Sequence, residues 1–293
     1  MQKRSHLRIF SVGMLIVLVL SMVSCDKEEP IPSYIFIPSF TVDAQPEFGT
    51  STSKITEAWV YANNDLLGVF PIPATVPILE TGATDIRIFP GIHEAGILSR
   101  PTIYPFYEPI LLNHVLTAGK IDTLPLVTKY LSSDKIKLEL NITFDIGNVL
   151  TDDLDDDSTT FVKIIPEGAE GPGGQLMVRD TAPNLSVGNN SLFHLPTNGS
   201  QVYIEMEYHN DVKFSVWMRG HKSINQGDIK PIATLNEKEE WNKIYIPLTE
   251  FLQSNKWLDY QFVLNVKLTD NEIASGIKEG KVVVDNIKIV RYK

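Results

Sequence analysis

The stretch VYIEMEYH, residues 202–209, shows most clearly the pattern that decides the fold. Its side chains alternate in character, so that Val202, Ile204 and Met206 fall on one side and Glu205 on the other. Successive side chains of a β-strand point to opposite faces of a sheet, so this alternation is typical of a strand with one face in a core. The sequence predicts a half-buried strand here.

Three later stretches, Lys213–Arg219, Trp241–Ile246 and Tyr260–Leu268, repeat the alternation, and Val282–Ile289 closes the chain as an apolar strand. Aromatic and β-branched residues are plentiful, and few windows show helical periodicity. These features predict a mostly β protein. Besides the three apolar residues above, the pattern assigns the following side chains to its core: Tyr208, Phe214, Val216, Met218, Ile244, Ile246, Phe262, Leu264, Val266 and Leu268.

The length of 293 residues fits two domains rather than one. We place a signal peptide at residues 1–24, a tether at 25–32, a first domain at 33–129 and a second domain at 130–293. The tether is rich in proline, which favours an extended, semi-rigid segment that lifts a domain off a membrane.

The first domain contains a predicted hairpin. Ile55–Tyr61 and Leu66–Phe70 are its strands, and Ala62–Asp65 is its turn, because Asn and Asp tolerate the left-handed backbone of tight turns. Prolines at 71, 73 and 77 then indicate an edge or an irregular crossing. The order of elements from Trp59 to Ile92 resembles PEGA-like and related immunoglobulin-like β-sandwich modules of surface proteins. The resemblance implies a spacer or wall-contacting unit without enzymatic activity.

The segment Arg100–Pro109 is rich in proline and aromatic residues. Prolines hold such a segment extended, so one interpretation is an exposed recognition loop. The other is a loop that packs over the sandwich through its own aromatic side chains.

The second domain resembles the galactose-binding-like jelly roll of many carbohydrate-binding modules. The resemblance rests on the closing Val284–Ile289 stretch with Asp285, and on Trp241–Ile244 leading into a strand ahead of Phe251 and Leu252. The predicted fold class is therefore mostly β, an immunoglobulin-like β-sandwich followed by a jelly-roll β-sandwich.

An aromatic side chain on the polar side of a strand suggests a ligand surface. Trp217 lies between Ser215 and Arg219 on that side. Rings can stack on the apolar faces of a sugar while polar groups bond its hydroxyls. If the strands are neighbours, the candidate ligand-binding residues are Trp217, Tyr245, Tyr203, Arg219, Glu205 and Gln261. The alternative is that this face packs on the first domain or is simply solvated.

The acidic run from Thr151 to Ser158 suggests a metal. Calcium prefers several oxygen ligands, and jelly-roll modules of the resembled kind often hold a structural calcium ion. We therefore take Asp153, Asp155 and Asp285 as candidate calcium ligands. The alternative is a solvated acidic loop.

The sequence contains no HExxH, GxSxG, P-loop or GxGxxG motif. Glu205 and Glu207 share a strand face about 7 Å apart, which would suit an inverting glycosidase. Acids two positions apart on a strand are nevertheless common. We therefore expect no catalytic residues and no enzymatic activity.

The N-terminus has the three parts of a secretory signal: basic residues, the apolar run Ile9–Leu20, and small residues before a cleavage site. The run is short for a membrane span, which takes about 20 residues, although an uncleaved anchor is the alternative. Met22–Cys25 resembles the bacterial lipobox, in which the Cys is diacylated, with Met22 where Leu is preferred. The resemblance implies lipid attachment at Cys25, the chain's one cysteine.

Residues 26–29, DKEE, resemble the surface-export signal of Bacteroidota lipoproteins. Asp26 instead resembles the inner-membrane retention signal of other Gram-negative bacteria. We favour the outer membrane, with the protein facing outward; a charged tether without an address is the alternative.

The chain is acidic overall. Loss of Lys3, Arg4 and Arg8 with the signal peptide takes the formal net charge from −10 to −13. This charge argues against nucleic acid as a partner and against adhesion to anionic lipid, since both require basic patches.

These observations favour a lipid-anchored cell-envelope protein that binds carbohydrate without transforming it. The rival hypothesis is a structural or adhesion lipoprotein that binds another envelope protein through its first domain. A glycoside-active enzyme is the third.

Overall fold

A computed structural model describes residues 29–223 and 226–293. The predicted signal peptide and the lipidation site Cys25 lie outside the described residues. None of the helices in the described ranges has the length and apolar character needed to cross a bilayer.

Strands of the first half form one set of sheets. In chain order they are β1 (Ser33–Ile37), β2 (Phe40–Val42), β3 (Glu57–Ala62), β4 (Asp65–Pro71), β5 (Ala74–Ile78), β6 (Gly82–His93), β7 (Pro101–Ile103), β8 (Ile110–Leu116), β9 (Ile121–Thr123) and β10 (Leu126–Thr128). A 3₁₀ turn spans Pro46–Phe48.

Strands of the second half pair among themselves. They are β11 (Ile136–Ile142), β12 (Leu150–Asp153), β13 (Lys163–Ile165), β14 (Gly173–Arg179), β15 (Asn184–Asn189), β16 (Val202–Asn210), β17 (Phe214–Ser223), β18 (Gln226–Leu235), β19 (Lys238–Pro247), β20 (Asp259–Lys267) and β21 (Glu279–Tyr292). Two short helices, α1 (Thr249–Asn255) and α2 (Asp270–Ala274), lie on either side of β20.

The first domain is a small β-sandwich. One layer is the sheet β4-β3-β6-β7, with β8 also paired to β6; the other comprises β5-β1-β9 and β10-β2. Ile35, Val60 and Ile88 pack in the apolar core between them. Asn63 and Asn64 have the positive φ angles that the predicted turn requires, 47° and 78°. The proline-containing strand β5 lies at a sheet edge.

The second domain is a larger β-sandwich. The six-stranded sheet has the order β13-β14-β21-β16-β19, with β11 also on β21, and the five-stranded sheet has the order β12-β15-β20-β17-β18. All of the predicted core side chains of this domain lie in the apolar cluster between the two sheets. The predicted fold class, mostly β and built from successive β-sandwiches, is confirmed.

Aromatic side chains fill the seam between the two sandwiches. Tyr104, Phe106 and Tyr107 come from the segment considered above as a recognition loop, and they are buried against Tyr203 and Tyr245 of the six-stranded sheet. The segment therefore packs at the domain interface, so the interpretation as an exposed recognition loop is wrong.

A buried ion cluster lies within this seam. Glu205, which has no exposed surface, pairs with Lys243 at 3.1 Å and accepts hydrogen bonds from the hydroxyls of Tyr104 at 2.6 Å and Tyr130 at 2.8 Å. Lys288 is equally buried and donates to the Tyr130 hydroxyl at 3.3 Å. The two sandwiches thus share one charged, hydrogen-bonded network.

The pKa values of this cluster show how its charged groups affect one another's ionisation. Burial alone would raise the pKa of Glu205, but the ammonium groups of Lys243 and Lys288 and the two tyrosine hydroxyls outweigh it and lower that pKa. Burial likewise opposes protonation of Lys243, but Glu205 raises its pKa. For Lys288 burial prevails and lowers the pKa to about 8.

Replacing Glu205 with Ala should strongly destabilise the protein, because it leaves buried lysine charges without their partner. Loss of one member of a buried pair typically costs about 3–5 kcal/mol. Urea unfolding measures the change. Glu240→Ala, at an exposed position of β19, is the matched control and should stay within about 0.5 kcal/mol of the wild type. An effect of Glu205→Ala no larger than the control would contradict the role of this cluster.

Candidate functional site

One face of the second domain remains open. Side chains at alternate positions of the five-stranded sheet point away from the core, and Arg219 of β17 lies beside Gln261 of β20 in register. Beyond β20 the sheet continues with β15 and then β12, and Gly188 of β15 pairs with Asp152 of β12. The sequence thus brings a cation, an amide and a carboxylate to one outward row.

Gln261 is the centre of this row. Its Nε2 donates to Asp152 Oδ2 at 2.7 Å and to the Asn189 carbonyl at 2.6 Å, and its Oε1 accepts from Arg219 Nη1 at 3.3 Å. Glycine at 188 makes room for it, because a Cβ there would lie 2.8 Å from Nε2. The amide is therefore locked in one orientation.

Arg219 is held but accessible. Its Nη1 lies 3.1 Å from Asp152 Oδ2, and both side chains are about two-fifths exposed. A guanidinium carries five N–H donors. The hydrogen bonds found within the described residues use only Nη1, so donors remain for a ligand.

A second polar pair lies at the end of the row. His221 Nδ1 is 2.7 Å from Asp259 Oδ1, and the His221 backbone N–H donates to the same oxygen at 3.1 Å. Gly220 permits this close approach, because a Cβ there would lie 2.1 Å from the Asp259 carbonyl oxygen. The pair fixes the imidazole beside Arg219.

These groups line an open groove of about 470 Å³. Leu192, whose side chain is exposed, is the aliphatic residue among those that line the groove. Trp217 is two residues before Arg219 on the same face and is partly exposed. Its indole Nε1 is buried and has no hydrogen-bond partner within the described residues. The lining residues are Thr151, Asp152, Asn190, Ser191, Leu192, Arg219, Gly220, His221 and Gln261.

The structure divides the six predicted ligand-binding residues between two sheets. Trp217, Arg219 and Gln261 share the open face, as expected. Tyr203, Glu205 and Tyr245 lie on β16 and β19 of the other sheet, buried against the first domain. The prediction that all six form one set is therefore wrong, because β16 pairs with β19 and β21 rather than with β17.

The covered residues have partners within the chain. Tyr203 donates a short hydrogen bond to Glu94, and the hydroxyls of Tyr245 and Tyr107 are 3.2 Å apart. Glu207, the second acid of the glycosidase alternative, is buried and accepts from Asn286 Nδ2 at 2.5 Å. This acid pair is therefore enclosed at the seam, away from the groove.

The three candidate calcium ligands do not come together. Asp153 and Asp155 lie at the β12 edge of the five-stranded sheet, where Asp155 accepts from Asn184 and from the Ser186 backbone N–H. Asp285 is buried in β21 of the other sheet. A shared site for all three is therefore wrong, and in the described part of the chain no cluster of three or more His, Cys, Asp or Glu is arranged to hold a metal ion.

Asp285 instead binds backbone. Its carboxylate accepts from the N–H groups of Ala169 and Glu170 at 3.0 and 3.1 Å and from Asn286. Burial raises its pKa to about 6, although these N–H groups oppose the shift. It fixes the 169–170 loop to the sheet.

Sequence reasoning missed several groove residues. His221 follows Arg219 by two positions, and Asp259 precedes Gln261 by two, so strand alternation alone places them on the predicted face. Asp152 was visible only as part of an acidic run. The loop residues Asn190, Ser191 and Leu192 carry no pattern that would find them.

No protein-family model matches the sequence, and no curated protein matches it. Solved structures with some likeness include a family 16 carbohydrate-binding module, 16% identical, covering 52% of this chain and 99% of its own, with a TM-score of 0.35. A family 11 module from Clostridium thermocellum, in complex with a β-1,3-1,4-mixed-linked tetrasaccharide, is 17% identical over 54% and 96% of the two chains, with a TM-score of 0.33.

The CBM22-1–GH10 modules of Clostridium thermocellum xylanase 10B, complexed with xylohexaose, are 16% identical and have a TM-score of 0.38. The alignment covers 53% of this chain but only 28% of the xylanase chain. At these scores the likeness establishes neither a family nor a ligand for this protein.

The pKa of Asp285 predicts a pH dependence. The folded protein keeps this proton up to about pH 6, whereas an unfolded Asp loses it near pH 3.9. Asp285 therefore contributes stability below about pH 4 that is lost as the pH rises towards 6. In urea unfolding across this window, the stability of wild type relative to Asp285→Asn should fall.

The Asn side chain keeps one oxygen, which can accept the bonds from the Ala169 and Glu170 N–H groups but not also the bond from Asn286, so the variant removes titration while keeping the contact with the 169–170 loop. Asp65→Asn, at an exposed position, is the control. A constant difference between wild type and Asp285→Asn from pH 4 to 6 would contradict the prediction.

Proposed function

We propose that this protein is a lipid-anchored carbohydrate-binding component of the bacterial cell envelope, and that the groove on the five-stranded sheet binds a neutral glycan. The observation that carries the proposal is the fixed polar row of Asp152, Gln261 and Arg219 on an otherwise open sheet face. The volume of the groove, about 470 Å³, falls in the range of small-molecule sites, about 300–1,000 Å³.

The chemistry of the row suits sugar hydroxyls. Adjacent hydroxyls of a sugar each donate and accept, and Arg, Gln and Asp side chains offer planar groups that bind two atoms at once. Because Gln261 and Asp152 already hold one another, little side-chain entropy is lost when a ligand binds.

Leu192, which lines the groove, and the partly exposed ring of Trp217, two positions before Arg219 on the same strand face, would supply the apolar part of such a site. Aromatic rings contribute large apolar contact area and, in tryptophan, a polar N–H that usually finds a partner when buried. The Trp217 indole Nε1 is buried, so the partly exposed ring, not the N–H, is the part available to a ligand.

The charge balance of the groove favours a neutral ligand. Arg219 is paired with Asp152, and His221 with Asp259. An added carboxylate, as in a uronic acid, would meet both of these aspartates. We therefore expect neutral sugars to bind better than acidic ones.

The geometry of the groove supports glycan binding without catalysis. A glycosidase needs one carboxyl to protonate the leaving oxygen and another to act as base or nucleophile. In the groove, Asp152 accepts from Gln261 and Arg219, and Asp259 accepts from His221. Both carboxylates are engaged in holding other side chains.

Arg219→Ala and Trp217→Ala should each weaken glycan binding at least about tenfold, equivalent to about 1.4 kcal/mol. A glycan array identifies the ligand, and isothermal calorimetry measures the affinity. Arg179→Ala and Trp241→Ala are matched controls, because both residues are exposed on the other sheet.

Equal binding by the groove variants and the controls would contradict the assignment of the site. An array of neutral polysaccharides without any binding would contradict the proposed ligand class.

The anchor is a separate part of the proposal. It rests on the lipobox-like Met22–Cys25 after a short apolar run. Acyl chains contribute about 0.8 kcal/mol per buried CH₂, and more than one chain is needed for stable attachment. We place the protein in the outer membrane, facing outward, on the resemblance of residues 26–29 to a surface-export signal.

Cys25→Ser should abolish incorporation of an alkynyl palmitate into the protein in growing cells. Because the chain has one cysteine, no other thiol can accept the lipid. Ser24→Ala, which keeps the Cys and a small residue before it, is the control. Labelling of the Cys25→Ser variant would contradict lipidation at this site.

A further inference from the structure

The three-stranded sheet of the first domain has an outer face that is apolar around Tyr34, with Thr75 and Thr123 on either side of Phe36. Ile35 and Ile37 of β1 point into the core and have no exposed surface. Tyr34 and Phe36 point the opposite way and are partly exposed. The sheet therefore presents aromatic side chains outward as well as aliphatic ones inward.

The neighbouring strands extend this face. Tyr34 is in register with Ile121 of β9 and with Pro77 of β5. Ile121 is 62% exposed, and Leu79, just beyond β5, is 65% exposed. We call the surface made by these side chains and Ile31 the tether face; it comprises Ile31, Tyr34, Phe36, Pro77, Leu79 and Ile121.

The tether face lies where the chain enters the domain. Ile31 is 66% exposed, and the next residue, Pro32, accepts a hydrogen bond from Gly119 N–H at 2.9 Å, next to β9. Only seven residue steps join the lipid attachment site Cys25 to Pro32. Fully extended, they reach about 24 Å.

The far end of the domain meets the second sandwich. β6 begins at Gly82, which pairs with Leu116 near the tether face, and ends at His93 beside the seam. Its twelve residues span about 40 Å. A lipid at Cys25 therefore brings the tether face, rather than the seam, to the membrane.

We propose that the tether face rests on the bilayer, with Ile31, Leu79 and Ile121 at the boundary between headgroups and acyl chains. Aliphatic and aromatic side chains are the ones that settle at this boundary. None of the six side chains is charged, so contact does not require anionic lipid. The inference rests on the lipid anchor that is part of the proposed function.

Hydrogen exchange tests the contact with the anchor supplied chemically. The chain from Cys25 to Lys293 is coupled through its one thiol to a maleimide lipid in phosphatidylcholine vesicles. Peptides covering β5 and β9 should exchange about threefold more slowly on vesicles than in solution, because the membrane excludes water from these edge strands. The 94–100 loop should not change.

A Leu79→Ser/Ile121→Ser variant should lose this protection, with unchanged exchange in solution showing that it folds. Leu98→Ser is the matched control, since Leu98 is 80% exposed at the seam end of the domain. Protection of the double variant equal to that of the control, or equal exchange of the wild type on vesicles and in solution, overturns the proposal.

Protection of β5 and β9 that grows with protein concentration in solution also overturns it, in favour of a second copy of the chain on this face. Failure of palmitate labelling in cells would instead reject the native lipid anchor. The exchange result on vesicles can still be interpreted in that case, because there the protein is attached through the maleimide lipid.

Discussion

The buried carboxylate of Glu205 is the constraint on which the arrangement of the two sandwiches depends. It contacts Lys243 of its own sheet, the hydroxyl of Tyr104 from the first domain, and the hydroxyl of Tyr130 where the chain passes from the first domain to the second. An unpaired charge in such a place would cost several kcal/mol. The two sandwiches must therefore dock in a way that brings all of these partners together.

This docking decides which surface of the second domain is free. A β-sandwich has two outward sheet faces, and here the outward face of the six-stranded sheet packs against the first domain. The polar and aromatic residues on that face consequently serve the interface. The five-stranded sheet keeps its outward face open, and the groove with Gln261 and Arg219 lies there.

The sequence predicts what is local in this structure. Strand alternation identified the core side of β16, β17, β19 and β20, since the alternation of apolar and polar residues within one strand shows which of its side chains are buried. The same rule placed Trp217 and Arg219 on an outward face. The Asn63–Asn64 turn was predictable for an equally local reason.

The pairing of strands is not local, and there the prediction failed. β16 lies between β19 and β21, and its Glu205 meets Lys288, which is 83 positions later in the chain. Nothing in the alternation of residues 202–209 distinguishes that sheet from the one containing β17. Tyr203, Glu205 and Tyr245 have the composition of a sugar-binding surface and also that of a polar domain interface.

A charged seam has a geometric consequence for the proposed function. Attraction within a buried cluster is largely offset by desolvation, so the net gain in stability over apolar contacts is small. The hydrogen bonds that Glu205 accepts from Tyr104 at 2.6 Å and Tyr130 at 2.8 Å are, however, satisfied together in only one relative position of the domains. With the proposed membrane contact of the tether face at one end of the first sandwich and the seam at the other, this fixed joint would hold the second sandwich away from the bilayer. In that proposed arrangement the groove would face soluble polymer rather than lipid, as glycan binding by an anchored protein requires.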